Sequence, residues 1–375
     1  MKVFLKFEAL LALWLLVLPS ATFAQHYTQT DLVSSIAGVG TNPTNPLDTQ
    51  LVNAWGLARS STSPWWVSDN GTGLSTLYNG EGTKQELVVT IPAPAGGSTP
   101  STPTGVVANG TTDFALPGST AARFIFVTED GTIAAWNGGP NAVIVQDNSK
   151  RGAVYKGCTI AELDAKHYLY VANFHSGEIE VYDSAFQRVQ LNKSDFADED
   201  PGNAPGNAFN QHRHNFSPFN IQAIGPNIFV AYAEPDAARH DEVAGAGLGF
   251  VDVYDTAGRR LARLERGPWF DAPWGMAMAP GEFGEFSHAL LVGMFGSGQI
   301  AAFNPVSGDF LGLMKKPDDS ILSIEGLWAL GFGSGTTNSG PYNTLFFTAG
   351  PNDESDGLFG TLVPAHDELI EIDEP

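Results

Sequence analysis

Short runs of bulky apolar residues, each closed by a small residue, recur along the chain and set its architecture. Six stand out: Trp65-Trp66-Val67-Ser68, Ile125-Phe126-Val127-Thr128, Leu169-Tyr170-Val171-Ala172, Ile228-Phe229-Val230-Ala231, Leu290-Leu291-Val292-Gly293 and Leu345-Phe346-Phe347-Thr348. Such runs suit buried strands. Counted from Val67 through Val127, Val171, Val230 and Val292 to Phe347, they recur at steps of 60, 44, 59, 62 and 55 residues, which marks an internal repeat. A second segment precedes each run: Trp55-Gly56-Leu57, Thr104-Gly105-Val106, Lys156-Gly157-Cys158, Phe219-Asn220-Ile221, Trp274-Gly275-Met276 and Trp328-Ala329-Leu330. Its middle residue is Gly in four copies and Asn or Ala in two. That pattern fits a crowded innermost strand whose backbone approaches its neighbours closely. After each run comes an alternating strand, entered by a Gly-rich turn and usually ending in an aromatic residue followed by Asn or Asp. Tyr78-Asn79, Trp136-Asn137, Tyr182-Asp183, Tyr254-Asp255 and Phe303-Asn304 are the instances, the Asn or Asp opening the next turn. A fourth stretch follows, as in residues 86–91.

Four strands in each of six units predict an all-β fold, a six-bladed β-propeller of four-stranded blades. The sixth unit stops after its third strand, near Leu362, while the strand-like Asp31-Leu32-Val33-Ser34-Ser35-Ile36 lacks a partner. This N-terminal segment is therefore expected to supply the outer strand of blade six, closing the ring and protecting an edge. A stack of sandwich domains would not explain a common four-strand register. The period also places Cys158 with Leu57, Val106, Ile221, Met276 and Leu330, as a small hydrophobe of the innermost strand rather than a nucleophile. Trp55, Trp274 and Trp328 align two residues earlier, and blade-to-blade packing is their expected role rather than a sugar-stacking platform.

The chain divides into a signal peptide at 1–24, the propeller at 25–364 and an acidic C-terminal tail at 365–375. The leader has Lys2 and Lys6, an apolar run from Ala9 to Leu18, the breaker Pro19 and the small-residue end Thr22-Phe23-Ala24. A run of about ten apolar residues is too short to span roughly 30 Å of hydrocarbon. A secreted or periplasmic protein with no membrane span is expected, acting as a monomer. Composition agrees: 42 Gly and 24 Pro supply the turns, and 43% apolar residues provide a core. The formal net charge of −22 argues against a nucleic-acid partner, because binding a polyanion depends on cationic side chains. A single cysteine excludes an intramolecular disulfide and a cysteine-rich zinc site.

Candidate chemistry follows from strand direction. The loops joining strands two and three share a face with those joining one blade to the next. Residues just after each small strand-two residue are expected to ring the channel mouth there: Asp69, Glu129, Asn173, Tyr232, Met294 and Ala349. Two insertions land on the same face. One, at 192–216, carries Asp198, Glu199, Asp200, His212 and His214; the other, at 234–249, begins with Glu234 and carries Arg239-His240-Asp241-Glu242. Long insertions in regular repeats tend to mark a functional face. Three readings compete. A Ca²⁺ ion could sit on Asp69, Glu129 and Asn173, with Asn70, Asp130 and waters completing its oxygen shell. A transition metal could sit on His212 and His214, helped by His175 or His240. Alternatively, Asp69, Asn70, Asp130 and Asn173 only cap tight turns, as in Asp69-Asn70-Gly71 and Asp130-Gly131. No P-loop, GxSxG elbow, HExxH or credible GxGxxG is present.

The stretch from Val171 to Asp183 resembles an NHL-type repeat. More closely, residues 28–364 resemble a family of secreted bacterial and fungal propellers whose activity is not established. The resemblance rests on Ala272-Pro273-Trp274-Gly275, Leu290-Leu291-Val292-Gly293-Met294-Phe295-Gly296, and Phe347-Thr348-Ala349-Gly350-Pro351-Asn352-Asp353-Glu354 followed by Gly357-Leu358-Phe359-Gly360. Met294 and Ser297 stand where Asn and Asp would be expected, which counts against a ring-wide metal site in blade five. The chain is also similar to six-bladed calcium-dependent lactonases and esterases, and to lyases, whose metal acts as a Lewis acid at the channel mouth. Two functions are thus expected from the sequence. One is a secreted binding module for a small molecule, glycan or extracellular protein. The other is a Ca²⁺-dependent hydrolase or lyase on Asp69, Glu129 and Asn173, with His175 or His212 as base. Tyr232 and Glu234 complete the candidate ligand-binding residues.

Overall fold

The structure is a computed structural model that describes residues 26–44, 46–116, 118–191, 196 and 216–365. The leader at 1–24, the acidic tail beyond Ala365, and His212 and His214 with Asp198, Glu199 and Asp200 lie outside the described residues. Six four-stranded antiparallel sheets form a six-bladed β-propeller. Blade one shows the plan. β2 (Ala54–Ala58) lies innermost, followed outward by β3 (Trp65–Asp69), β4 (Leu74–Tyr78) and β5 (Val89–Thr90). The other inner strands are β6 (Pro103–Ala108), β10 (Tyr155–Leu163), β14 (Ser217–Ile224), β18 (Pro273–Met278) and β22 (Leu327–Phe332).

The unpartnered N-terminal segment closes the ring. β1 (Tyr27–Ser34) pairs antiparallel with β24 (Leu358–Pro364), and the last sheet runs β1, β24, β23 (Leu345–Ala349), β22 from rim to axis. The strand starts earlier than its apolar residues suggest and bulges between Asp31 and Val33. The outer strands are shorter than the sequence implies, two residues each in β5 and in β13 (Arg188–Val189). They have sheet on one side only, so fewer ladder bonds and less apolar burial hold them.

Aromatic side chains fill the seams between blades. Trp66 stacks on Phe124 with ring centres 4.1 Å apart, and Tyr78 on Phe359 at 5.3 Å, joining blade one to blades two and six. The inner strands do crowd one another. A Cβ added at Gly56 would stand 2.2 Å from the Thr104 carbonyl oxygen, and one at Gly157 2.2 Å from Asn220 Oδ1, so only a hydrogen fits. Cys158 is buried, and burial pushes its thiol pKa up, which leaves the sulfur inert.

Candidate functional site

One irregularity repeats in every blade. The register between the inner strand and its neighbour shifts between Ala54 and Leu57, Pro103 and Val106, Tyr155 and Cys158, Pro218 and Asn220, Pro273 and Met276, and Leu327 and Leu330. A bulge re-aims the side chain it carries. Here it brings Trp55, Phe219, Trp274 and Trp328 together near the axis, where Phe174 joins them in one buried cluster and the half-buried Phe295 packs against it. Trp55 stacks on Trp328 at 3.6 Å, and Trp274 meets both edge-on at 6.4 and 6.1 Å. These indoles are 2, 0 and 4% exposed, so packing is their role.

Blade three breaks the aromatic pattern with Lys156, which is wholly buried. Its Nζ lies 4.8 Å from the Trp55 ring centre, 5.6 Å from Phe174 and 5.9 Å from Phe219. It donates to Glu129 Oε1 at 2.5 Å and approaches Asp241 Oδ1 at 3.6 Å. A chain of contacts continues across the mouth. The other Glu129 oxygen accepts from Asn70 Nδ2 at 2.8 Å, and Asn70 Oδ1 accepts from Asn53 Nδ2 at 3.3 Å. Asn53 also donates to Glu354 and accepts the Trp328 indole N–H at 2.8 Å. His240 Nδ1 lies 2.8 Å from Asp241 Oδ1.

The electrostatics follow from burial and proximity. Burial lowers the Lys156 pKa, but Glu129, Glu242 and Asp241 together outweigh it and raise the pKa above its ordinary value, so Lys156 is an ammonium. Burial pushes Glu242 up to about 7 and Glu354 upward too. The hydrogen bond between His240 and Asp241 raises the imidazole and lowers the carboxylate. Among the described residues neither Glu242 nor Glu354 has an ion-pair partner within 4.0 Å. Lys156 is thus one ammonium facing Glu129, Asp241, Glu242 and Glu354.

Two backbone devices deliver these acids. The insertion at 234–249 folds as a hairpin lid. Pro235 bridges Glu242, Val243 N–H donates to the Glu234 carbonyl at 2.7 Å, and Asp236 N–H donates to the Asp241 carbonyl at 2.7 Å. Arg239, at φ +55°, turns the tip and ties it down, donating to the His175 carbonyl at 2.7 Å and to Ser217 Oγ at 2.6 Å. Opposite, Asn352, Asp353 and Glu354 all adopt left-handed backbone, at φ +56°, +51° and +63°. Asn and Asp take this conformation readily, but at Glu354 it costs about 1–2 kcal/mol, and such strain collects at functional sites.

The expected ring and the observed one differ by a residue in most blades. Asn70, Glu129, Phe174, Phe295 and Gly350 are equivalent, each donating its N–H to the residue preceding its own blade's inner strand: Asn53, Thr102, Val154, Ala272 and Gly326. A one-residue slip turns a side chain to the other face. Asp69 is therefore sealed inside blade one, its oxygens taken by the Thr76 N–H at 2.8 Å and hydroxyl at 3.2 Å, and burial raises its pKa. Asn173 donates to Glu180 at 3.0 Å and caps the Ser176 N–H at 3.2 Å. Met294 and Ala349 are buried. The trio Asp69, Glu129 and Asn173 is thus not assembled as a Ca²⁺ shell. Asp130 accepts the Thr102 N–H at 2.9 Å, a turn contact. The Tyr232 hydroxyl pairs with that of Tyr254 at 2.9 Å, His175 is exposed beside the lid anchor, and Glu234 sits at the lid's base. Asn70 and Glu129 do reach the mouth, as does the insertion's His240-Asp241-Glu242. Sequence reasoning missed Lys156, Asn53 and Glu354. The sign available for Lys156 was its column: Trp55, Thr104, Phe219, Trp274 and Trp328 hold the matching places, and none is charged.

A metal finds one candidate group among the described residues: one ligand atom each from Glu129, His240 and Asp241, all within 4.8 Å of one another. One imidazole with two carboxylates suits a transition metal better than Ca²⁺, which takes six to eight oxygens. The Lys156 ammonium already occupies the cation position between the two carboxylates.

No family model matches the chain. An uncharacterized protein of Acanthamoeba polyphaga mimivirus is 28% identical over 331 residues, covering 86% of this chain and 77% of its own length. A second from the same virus is 29% identical over 325 residues, covering 84% and 81%. These relatives are viral, where the sequence motifs had suggested a bacterial and fungal family. Among solved structures, a glucose dehydrogenase matches with a TM-score of 0.54 at 13% identity, covering 90% of this chain and 99% of that one. A streptogramin B lyase matches at 0.50 and 10% identity, covering 90% and 98%. Such likeness shows the propeller fold and does not carry chemistry across.

Proposed function

We infer that this propeller is a binding module whose site is the lidded acidic mouth, and that it takes a small ligand bearing an ammonium or guanidinium group. One observation carries the reading: Glu242 and Glu354 crowd a half-buried mouth already holding Glu129 and Asp241, and the Lys156 ammonium is spent on the latter two. Gathering like charges under a fold-built lid costs stability, and an arriving cation would offset that cost. The aromatic floor beneath offers a cation further attraction. The leader-like start supports export, so the ligand would be met outside the cytoplasm; N-terminal sequencing of the mature protein tests cleavage before Gln25.

The test is thermal melting and calorimetric titration with agmatine, choline and spermidine at pH 8 and pH 5. At least one should raise the melting temperature at pH 8 and bind more weakly at pH 5, where Glu242 is protonated. The double variant Glu242→Gln, Glu354→Gln should lose that binding. If no amine shifts the melt, or the variant binds as well as the parent, the reading fails.

Glu129, His240 and Asp241 favour a second reading, a metal-dependent hydrolase or lyase at the same mouth. Those three would hold the metal, which would supply Lewis acidity when bound; Lys156 would hold Glu129 in place, and His175 remains the nearby candidate base. Stoichiometric Mn²⁺ or Zn²⁺ in purified protein, with a melt lowered by chelator, would favour this reading.

A further inference from the structure

The inner strands start at the acidic mouth and end at the opposite face of the ring. There they splay around an open funnel of about 410 Å³, to which all six blades contribute. Its volume falls within the range of small-molecule pockets, roughly 300–1,000 Å³. The apolar side chains of Leu57, Val106, Ile221, Met276, Leu330 and Phe332 share its walls with the polar residues Thr159, Asn220 and Gln222.

The funnel's cation is Arg59, half-buried at the end of blade one's inner strand. Its Nε and one terminal nitrogen donate to the carbonyls of Phe332 and Gly333 at 2.8 and 2.9 Å, and the other reaches the Ser60 carbonyl at 3.4 Å. The guanidinium lies over the Trp65 ring, 5.4 Å from its centre. These contacts use three of the five N–H donors of a guanidinium, leaving two. Among the described residues no carboxylate pairs with it, although the chain carries 41 acidic residues. Burial lowers its pKa with no opposing anion. A guanidinium with no carboxylate partner asks for a ligand that accepts hydrogen bonds and brings negative charge.

We propose that the funnel is a second binding site, separate from the mouth, for a small apolar carboxylate. The carboxylate takes the two free N–H bonds of Arg59, and the hydrocarbon body lies against Leu57, Ile221 and Met276. A planar carboxylate matches the fork of a guanidinium. A cation is excluded by Arg59.

The probe is octanoate, compared with 1-octanol, by calorimetric titration and thermal melting of the full chain. Octanoate should bind one per chain and at least tenfold more tightly than octanol. Arg59→Gln should abolish that preference, whereas Arg59→Lys, which keeps the charge and checks the fold, should retain part of it. Gln222→Phe, placed on blade four's stretch of the wall, should block both probes by filling the space. Equal affinity for octanoate and octanol would overturn the proposal, as would undiminished octanoate binding by Gln222→Phe.

Discussion

Replacing Lys156 with Met tests whether the mouth is held together by one ammonium. The pair it would break is buried on both sides, with side-chain exposures of 0% for Lys156 and 8% for Glu129. Removing one partner of a buried ion pair leaves the other charge uncompensated, at about 3–5 kcal/mol. Asp241 adds little, because its side chain is 66% exposed and solvent screens it. The loss should depend on pH. Lys156 has a folded pKa raised above its ordinary value near 10.5, so its own contribution is fully present throughout pH 5 to 8. The carboxylates supply the dependence. Without the ammonium, Glu242 and Glu354 move further above their ordinary values, and the folded state then binds protons that the unfolded state has released. Stability of the variant therefore falls as pH rises, and the deficit against the parent is large at pH 8 and small at pH 5. Urea unfolding at both pH values measures it. Glu129→Gln in the same chain should recover much of the loss at pH 8, since both partners are then neutral. A Lys156→Met cost under about 1 kcal/mol, or one equal at both pH values, would refute the electrostatic account of the mouth.

Three further outcomes are expected. Glu242→Gln should stabilise the protein at pH 8: the gap between 4.5 and about 7 is worth at most about 3 kcal/mol, and solvent at the half-buried lid reduces it to roughly 1–2. That gain should vanish below pH 4.5, where Glu242 is protonated folded or unfolded, and urea midpoints across pH 4 to 8 track it. Gly157→Ala puts a methyl 2.2 Å from Asn220 Oδ1 and should cost about 1–3 kcal/mol in thermal unfolding; a neutral result would mean the inner strands can spread. Deleting β1 leaves the long edge of β24 unpaired, and size-exclusion chromatography should show association or aggregation. A monomer with an unchanged melt would show that the N-terminal strand is not the ring's closure.

What the sequence made legible, and what it did not, divides along one physical line. Runs such as Trp65-Trp66-Val67-Ser68 are buried along their whole length, so composition alone marks them, and six of them reveal the ring. β1 was legible for the same reason in reverse: blade six ran out of chain, and an unpaired edge has to be covered. The mouth was harder because its geometry depends on a bulge in each inner strand, and a bulge leaves little trace in an apolar pattern. Without it the ring falls on Asp69 and Asn173; with it, on Asn70 and Phe174, one residue later and facing the axis. Glu129 was found because its blade's small residue happens to lie one place further along, so the expected and the true positions coincide there. Lys156 was visible as a charge in a column otherwise filled by Trp, Thr and Phe, but a lysine is usually read as surface, and no local rule says that this one is sealed. Its burial makes sense only once Glu129 arrives from blade two and Asp241 from the lid, 27 and 85 residues away in the chain. Glu354 depends on a run of three left-handed residues that ends on Glu354 itself, which has no propensity for that conformation. The residues that escaped a linear reading are therefore those whose energies are set by distant partners or by backbone strain, and they converge on the one place where the propeller's regularity is broken.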